Sequence, residues 1–131
     1  MNEKELINKA IEASKKAYAP YSKFYVGAAL LCKSGKIIQG CNVENASYGL
    51  CNCAERTALF SAYAQGEREF EKLVIYVDRP EFTPPCGACR QVISELAPNI
   101  EVILANNKGE VKRLTVPQLM PFSFGSADLA N

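Results

Sequence analysis

The chain has 131 residues, 15 Lys+Arg against 14 Asp+Glu for a formal charge of +1, and six cysteines but no histidine. That length suits one domain spanning residues 1–131, able to bury roughly 65–70% of its unfolded surface. Scattered, near-neutral charge argues against a nucleic-acid partner, which would call for a basic patch or stripe, and no apolar run approaches the ~20 residues of a membrane span.

The predicted elements follow in chain order. Asn2-x-x-Glu5 resembles a capping box, and Leu6, Ala10, Ala13 and Ala17 recur at helical spacing, so residues 3–17 read as a helix that Ala19-Pro20 stops. Phe24 to Cys32 is apolar and suits a buried strand; after the turn Lys33–Lys36, Ile37 to Cys41 returns as a second. Residues 42–51, rich in Asn, Ser and Gly, read as a loop, with Asn52 placed to cap a helix running to about Gln65. Phe70 to Asp78 is a third strand, Arg79 to Pro85 a proline-rich loop, and Gly87 to Ala97 another helix. Ile100 to Ala105 and Glu110 to Thr115 form two more strands around Asn106–Gly109, before a short helix near Pro117–Met120. This order predicts an α/β fold in three layers, α/β/α, with a mixed five-stranded central sheet.

The polar opening Met1–Glu5 has no apolar stretch of a secretory leader behind it, so a cytoplasmic location is expected. Reducing compartments keep thiols unpaired, which leaves metal binding or plain burial for the cysteines. Three of them fall in a chemical pattern. Cys53-Ala54-Glu55 is followed by Pro85-Cys86-Gly87-Ala88-Cys89, the spacing of a zinc site that activates water for attack on a nucleobase. Three protein ligands leave the fourth tetrahedral position of zinc open, as a catalytic site requires.

Cys53 opens one predicted helix, and Cys86 and Cys89 open the next, where helix dipoles favour thiolates. Glu55, in the first turn with Cys53, can reach the open position as a proton carrier without being a ligand. Cys41 or Cys51 is the alternative fourth ligand, although a closed four-thiolate site has no use for the Glu. Three thiolates on a dication leave about one negative charge, which weakens acidification of water. Arg56 and Arg90 directly follow the two motifs, and one or both are expected to offset that charge by hydrogen bonding to sulfur. Cys32 and Cys41 lie on predicted strands and read as core thiols.

Phe24-x-Val26-Gly27-Ala28-Ala29-Leu30, Asn42-Val43-Glu44-Asn45, Cys53-Ala54-Glu55-Arg56 and Pro85-Cys86-Gly87-Ala88-Cys89-Arg90-Gln91 together resemble cytidine deaminase. The similarity runs over about residues 3–129 and is closest to the small homotetrameric branch, which uses three cysteines where the dimeric branch has a histidine. The resemblance implies one zinc per subunit on Cys53, Cys86 and Cys89, with Glu55 shuttling protons as cytidine or deoxycytidine becomes the uridine nucleoside and ammonia, in pyrimidine salvage. By the same resemblance Asn42 and Glu44 hold the ribose hydroxyls, the loop through Asn45 and Tyr48 lines the pocket with Ala54, and Phe24 packs near the base. It also implies an aromatic over the pyrimidine from a neighbouring subunit, with Phe124 the best match in position and Phe122 its rival. Active sites would then be shared between subunits of a homotetramer. A deaminase for a related small base, such as blasticidin S, shares the zinc motif but fits the Phe24–Leu30 and Asn42–Asn45 segments less well.

Overall fold

The computed structural model describes residues 2–129. The first helix, α1 (Glu3–Ser14), starts where Asn2 Oδ1 accepts the Glu5 amide at 2.8 Å. It ends three residues earlier than the apolar spacing predicts. Ser14 Oγ turns back onto the Ile11 carbonyl at 2.6 Å, and Tyr18 leaves the helix to exchange backbone hydrogen bonds with Asn42 and Glu44.

Five strands follow, with three further helices inserted among or after them: β1 (Val26–Cys32), β2 (Ile37–Cys41), α2 (Ala54–Ala64), β3 (Phe70–Val77), α3 (Gly87–Leu96), β4 (Glu101–Ala105), β5 (Val111–Thr115) and α4 (Val116–Leu119). A single 3-10 turn, Tyr48–Leu50, interrupts the Asn-rich loop, and a short helix α5 (Ser126–Leu129), absent from the sequence reading, closes the described chain. The sheet order is β2-β1-β3-β4-β5. β3 and β4 are parallel and the remaining neighbours antiparallel, so the sheet is mixed as expected.

Alternation along the central strands divides the core between two faces. Ala29 and Leu31 of β1, Val74 and Tyr76 of β3 and Ile103 of β4 meet Leu6 and Ala10 of α1. Ala28, Leu30, Leu73, Ile75 and Val102 face the other way, against Ala58, Leu59 and Ala62 of α2 and Ile93 of α3. The result is three layers, with α1 on one side of the sheet and α2 and α3 on the other. The edge strand β5 is largely exposed and carries Lys112 and Arg113, charges that discourage pairing with another chain.

Two glycines set how closely the helices approach. A Cβ on Gly27 would lie 1.9 Å from the Ala10 carbonyl oxygen, and one on Gly40 would lie 2.4 Å from that of Ala54. Only a bare backbone on β2 lets the first turn of α2 sit this low. That first turn carries Glu55.

Candidate active site

The site lies at the carboxyl end of β3, where the amino ends of α2 and α3 converge. Cys53 is the N-cap of α2, with extended backbone (φ −80°, ψ 158°), and Cys86 is the N-cap of α3 (φ −68°, ψ 170°). Asn52, the expected cap, instead pairs its backbone with Val43 and donates its amide to Thr57 Oγ1 at 3.1 Å. The helix therefore starts one residue later, and a thiol occupies its positive end.

Cys53, Cys86 and Cys89 place their sulfurs within 4.8 Å of one another, the Cys53–Cys86 pair at 3.7 Å. Two sulfurs at ~2.3 Å from a tetrahedral ion stand about 3.8 Å apart, so this spacing suits zinc. Cys41 and Cys51 are outside the cluster. Cys51 Sγ instead accepts the Asn45 amide at 3.3 Å. Among the described residues the cluster thus offers three ligands and leaves a position open.

Electrostatics agree with the donor set. A hydrogen bond with the Cys89 thiol, joined by the Arg56 guanidinium, draws the Cys53 thiol down to about 5. The same hydrogen bond, with burial, pushes the fully buried Cys89 up. The cluster thus favours one thiolate with the proton kept by its neighbour, and a dication would displace the remaining protons. Arg56 Nη2 donates to Cys53 Sγ at 3.2 Å. Its Nε–H is buried without an acceptor among the described residues, and a fully ionised sulfur cluster supplies the negative charge that such a donor seeks.

Glu55 is 4% exposed. Burial, and after it the negative charge of Cys53, push its carboxyl up to about 7. A carboxyl poised near neutrality can both accept and return a proton at working pH. It opens onto a cavity of about 260 Å³ whose walls include Phe24, Asn42, Glu44, Cys53, Ala54 and Cys86. The thiol cluster, Glu55 and four of the expected substrate contacts, Phe24, Asn42, Glu44 and Ala54, therefore meet at one cleft.

The family model for the cytidine and deoxycytidylate deaminase zinc-binding region matches residues 1–105. The chain belongs to that deaminase family. It is 51% identical over 130 residues to the cytidine deaminase of Halalkalibacterium halodurans, covering 98% of each chain. It is 47% identical over 131 residues to the cytidine deaminase of Sporosarcina psychrophila, covering 99% of this chain and 96% of the relative. The crystal structure of cytidine deaminase from Burkholderia pseudomallei superposes with a TM-score of 0.92 at 54% identity, over 95% of this chain and 100% of that one. This deaminase is accordingly an enzyme. Cys53, Cys86 and Cys89 are the residues that would hold its zinc, one per subunit.

The remaining expected residues of the deaminase fall in three groups. Asn42 accepts the Val26 amide at 2.8 Å and donates to the Phe24 carbonyl at 2.7 Å, so its side chain first shapes the cleft wall. Those bonds end β1 at Val26 rather than Phe24. Glu44 accepts the Tyr21 and Ser22 amides at 3.0 and 3.2 Å and the Ser22 hydroxyl, bonds that hold its carboxyl below the usual range.

Asn45 and Tyr48 do not line this cleft. Asn45 Oδ1 accepts the Ser47 amide at 2.8 Å. Tyr48 packs edge-on against Tyr21 and lines an adjoining hollow of about 300 Å³ that shares Ser22 and Glu44 with the cleft. Phe124 is moored through its carbonyl to Gln91 Nε2 at 2.9 Å but leaves its ring 56% exposed, and Phe122 is fully exposed. Neither ring lines the cleft.

One expectation requires correction. Arg90 does not bond to sulfur: Nε donates to the Pro85 carbonyl at 2.8 Å and Nη1 to that of Leu119 at 3.0 Å. One turn into α3, it braces the chain that delivers Cys86, while among the described residues Arg56 alone donates a cation to Cys53. The sequence reading also missed Ser22, Thr83 and Pro84 on the cleft wall and Arg79 over the Phe24 ring. Only the Pro84-Pro85 pair carried a signal, a stiff extended approach to Cys86.

Proposed function

We propose that the enzyme hydrolyses cytidine and deoxycytidine to uridine and deoxyuridine with release of ammonia, serving pyrimidine salvage in the cytoplasm. The observation that carries this reading is a buried Glu55 beside three converging thiols, in one cleft with Asn42 and Glu44. The near-full-length likeness to cytidine deaminases supports the choice of nucleoside.

Bound zinc supplies the Lewis acidity that brings water's proton within reach near neutral pH. Glu55 takes that proton and delivers it to pyrimidine N3, which makes C4 electrophilic to the hydroxide left behind. After addition, Glu55 takes the proton of the new C4 hydroxyl and carries it to the exocyclic amine; the C4–N bond breaks to release ammonia and leaves the C4 carbonyl. Burial of the carboxyl lets it exchange protons at neutral pH instead of remaining a spectator anion. Arg56 holds its positive charge beside Cys53 throughout and limits the electron density that three thiolates place on the ion.

Asn42 and Glu44 hold the sugar hydroxyls, an amide and a carboxylate reading a diol. Each still has capacity for this: Asn42 keeps one N–H and one lone pair after its two backbone bonds. A carboxylate at this place repels a 3′-phosphate and favours a free nucleoside. Phe24 forms the wall beside the base, with Ala54 beneath. Asn45 and Tyr48 shape the loop around the sugar.

The exposed ring of Phe124, with Phe122 next to it, suits a role against a neighbouring subunit's substrate rather than its own. The active form is then a homotetramer with shared sites, each subunit contributing one catalytic domain over residues 1–131. Loss of cytosine absorbance from cytidine and deoxycytidine, with zinc measured on the same sample, tests the reading. Turnover abolished by a tight chelator supports it. Zinc-loaded protein that leaves both nucleosides unchanged contradicts it.

A further inference from the structure

The cleft wall at Phe24 is held from outside. Its backbone is tied at both ends: the Phe24 amide donates to Ser22 Oγ at 3.1 Å and its carbonyl accepts from Asn42 Nδ2 at 2.7 Å. The preceding residue, Lys23, lies in the left-handed region at φ 59°, a conformation that a non-glycine residue keeps only when its surroundings enforce it. The backbone is thus fixed, but the ring is half-buried and has an outer side. Over that side stands the Arg79 guanidinium, 4.6 Å from the ring centroid.

Arg79 is exposed and, among the described residues, forms no ion pair. Its charge is therefore not spent on a carboxylate, and the aromatic face is its contact. What puts it there is the distant β4–β5 turn. The Arg79 carbonyl accepts the Asn107 amide at 3.0 Å, and the Asn107 side chain donates to Asp78 at 3.1 Å. Asn106, 4% exposed, donates to the Pro80 carbonyl at 2.9 Å and to Glu110 Oε1 at 2.8 Å, while its Oδ1 accepts the Lys108 and Glu110 amides. A buried amide with every bond used is a rigid peg. It pins the Pro80 carbonyl while the Asn107 amide pins that of Arg79.

We infer that Arg79 is a positioning residue for nucleoside binding, clamping the Phe24 ring as the outer wall of the cleft from a backbone fixed by Asn106 and Asn107. The inference rests on the nucleoside reading above and concerns a residue outside the thiol cluster. The clamp keeps the ring from swinging into solvent when the cleft is empty, so binding does not have to order it. Its effect belongs to ground-state and transition-state binding alike, and so to KM rather than kcat.

Steady-state kinetics of the zinc-loaded protein on cytidine test this, with Arg79→Ala, Arg79→Lys, Phe24→Leu and the Phe24→Leu/Arg79→Ala double variant. A cation over an exposed ring is worth enough for about a two- to fivefold change in affinity. Arg79→Ala is expected to raise KM by that factor with kcat within twofold and the melting temperature unchanged. Arg79→Lys should recover part of the loss, and Arg79→Ala should add nothing once Phe24 is Leu. An unchanged KM, the same rise in the Phe24→Leu background, or a fall in kcat with melting temperature would overturn the clamp while wild-type turnover leaves the nucleoside reading standing. Wild-type protein inert on both cytidine and deoxycytidine would overturn the nucleoside reading, and the clamp's role with it.

Discussion

Arg56 donates from Nη2 to Cys53 Sγ at 3.2 Å while its buried Nε–H has no acceptor among the described residues. The pair is built for more negative charge than one thiolate provides. Replacing the guanidinium removes a positive charge that steadies the sulfurs as ligands. Arg56→Gln is therefore expected to weaken zinc retention by about 10- to 100-fold. Competition against a chromogenic chelator measures this directly. Arg90→Gln, which loses carbonyl contacts rather than a sulfur contact, should move zinc affinity less and lower stability by about 1–3 kcal/mol.

Gly40 carries the low seat of α2. A methyl there would meet the Ala54 carbonyl oxygen at 2.4 Å and the Ala58 amide at 2.7 Å, both backbone atoms with little room to retreat. Gly40→Ala should cost about 1–3 kcal/mol in urea unfolding, as overpacking commonly does. Because Ala54 and Cys53 belong to the displaced turn, catalytic activity should fall further than the change in stability alone explains. Activity at full zinc occupancy separates the two effects.

The amino end of α1 is tied to the sheet by charge. Glu3 meets Arg113 of β5 and Lys72 of β3, and Glu101 of β4 meets the same two cations. The Arg113 hydrogen bond holds the Glu3 carboxyl below its ordinary value. A depressed folded-state value means the contribution is complete above the unfolded carboxyl's ~4.3 and is lost as pH falls through the folded value. Glu3→Gln should therefore lower the urea midpoint slightly at pH 7 and leave it unchanged at a pH low enough to protonate Glu3 in both states. High salt should shrink the neutral-pH difference, since these side chains are partly exposed.

How much of this was legible in the sequence depended on the range of the interaction involved. Strands and helices could be read because apolar periodicity and turn residues act locally, and the five-strand mixed sheet followed from their order. The thiol cluster was legible for the same reason: Cys53 to Glu55 and Cys86 to Cys89 are short spacings at helix starts. The misses involve long reach. β1 starts at Val26 because Asn42, sixteen residues on, takes the Val26 amide. The helix cap moved from Asn52 to Cys53 because Val43 claimed the Asn52 backbone. Arg90 looked equivalent to Arg56 by position, but the Pro85 and Leu119 carbonyls, one of them 29 residues away, hold it elsewhere. Arg79 gave no signal at all, since its place over Phe24 is set by a turn near residue 106.

In the proposed reaction Glu55 carries protons without holding the metal, and Glu55→Gln separates those two roles. Zinc content and cytidine turnover should be measured on the same purified sample. One zinc per subunit with turnover reduced about 100- to 10,000-fold is the expected result. Near-normal turnover at full zinc, or zinc lost along with the carboxylate, would overturn that role for Glu55.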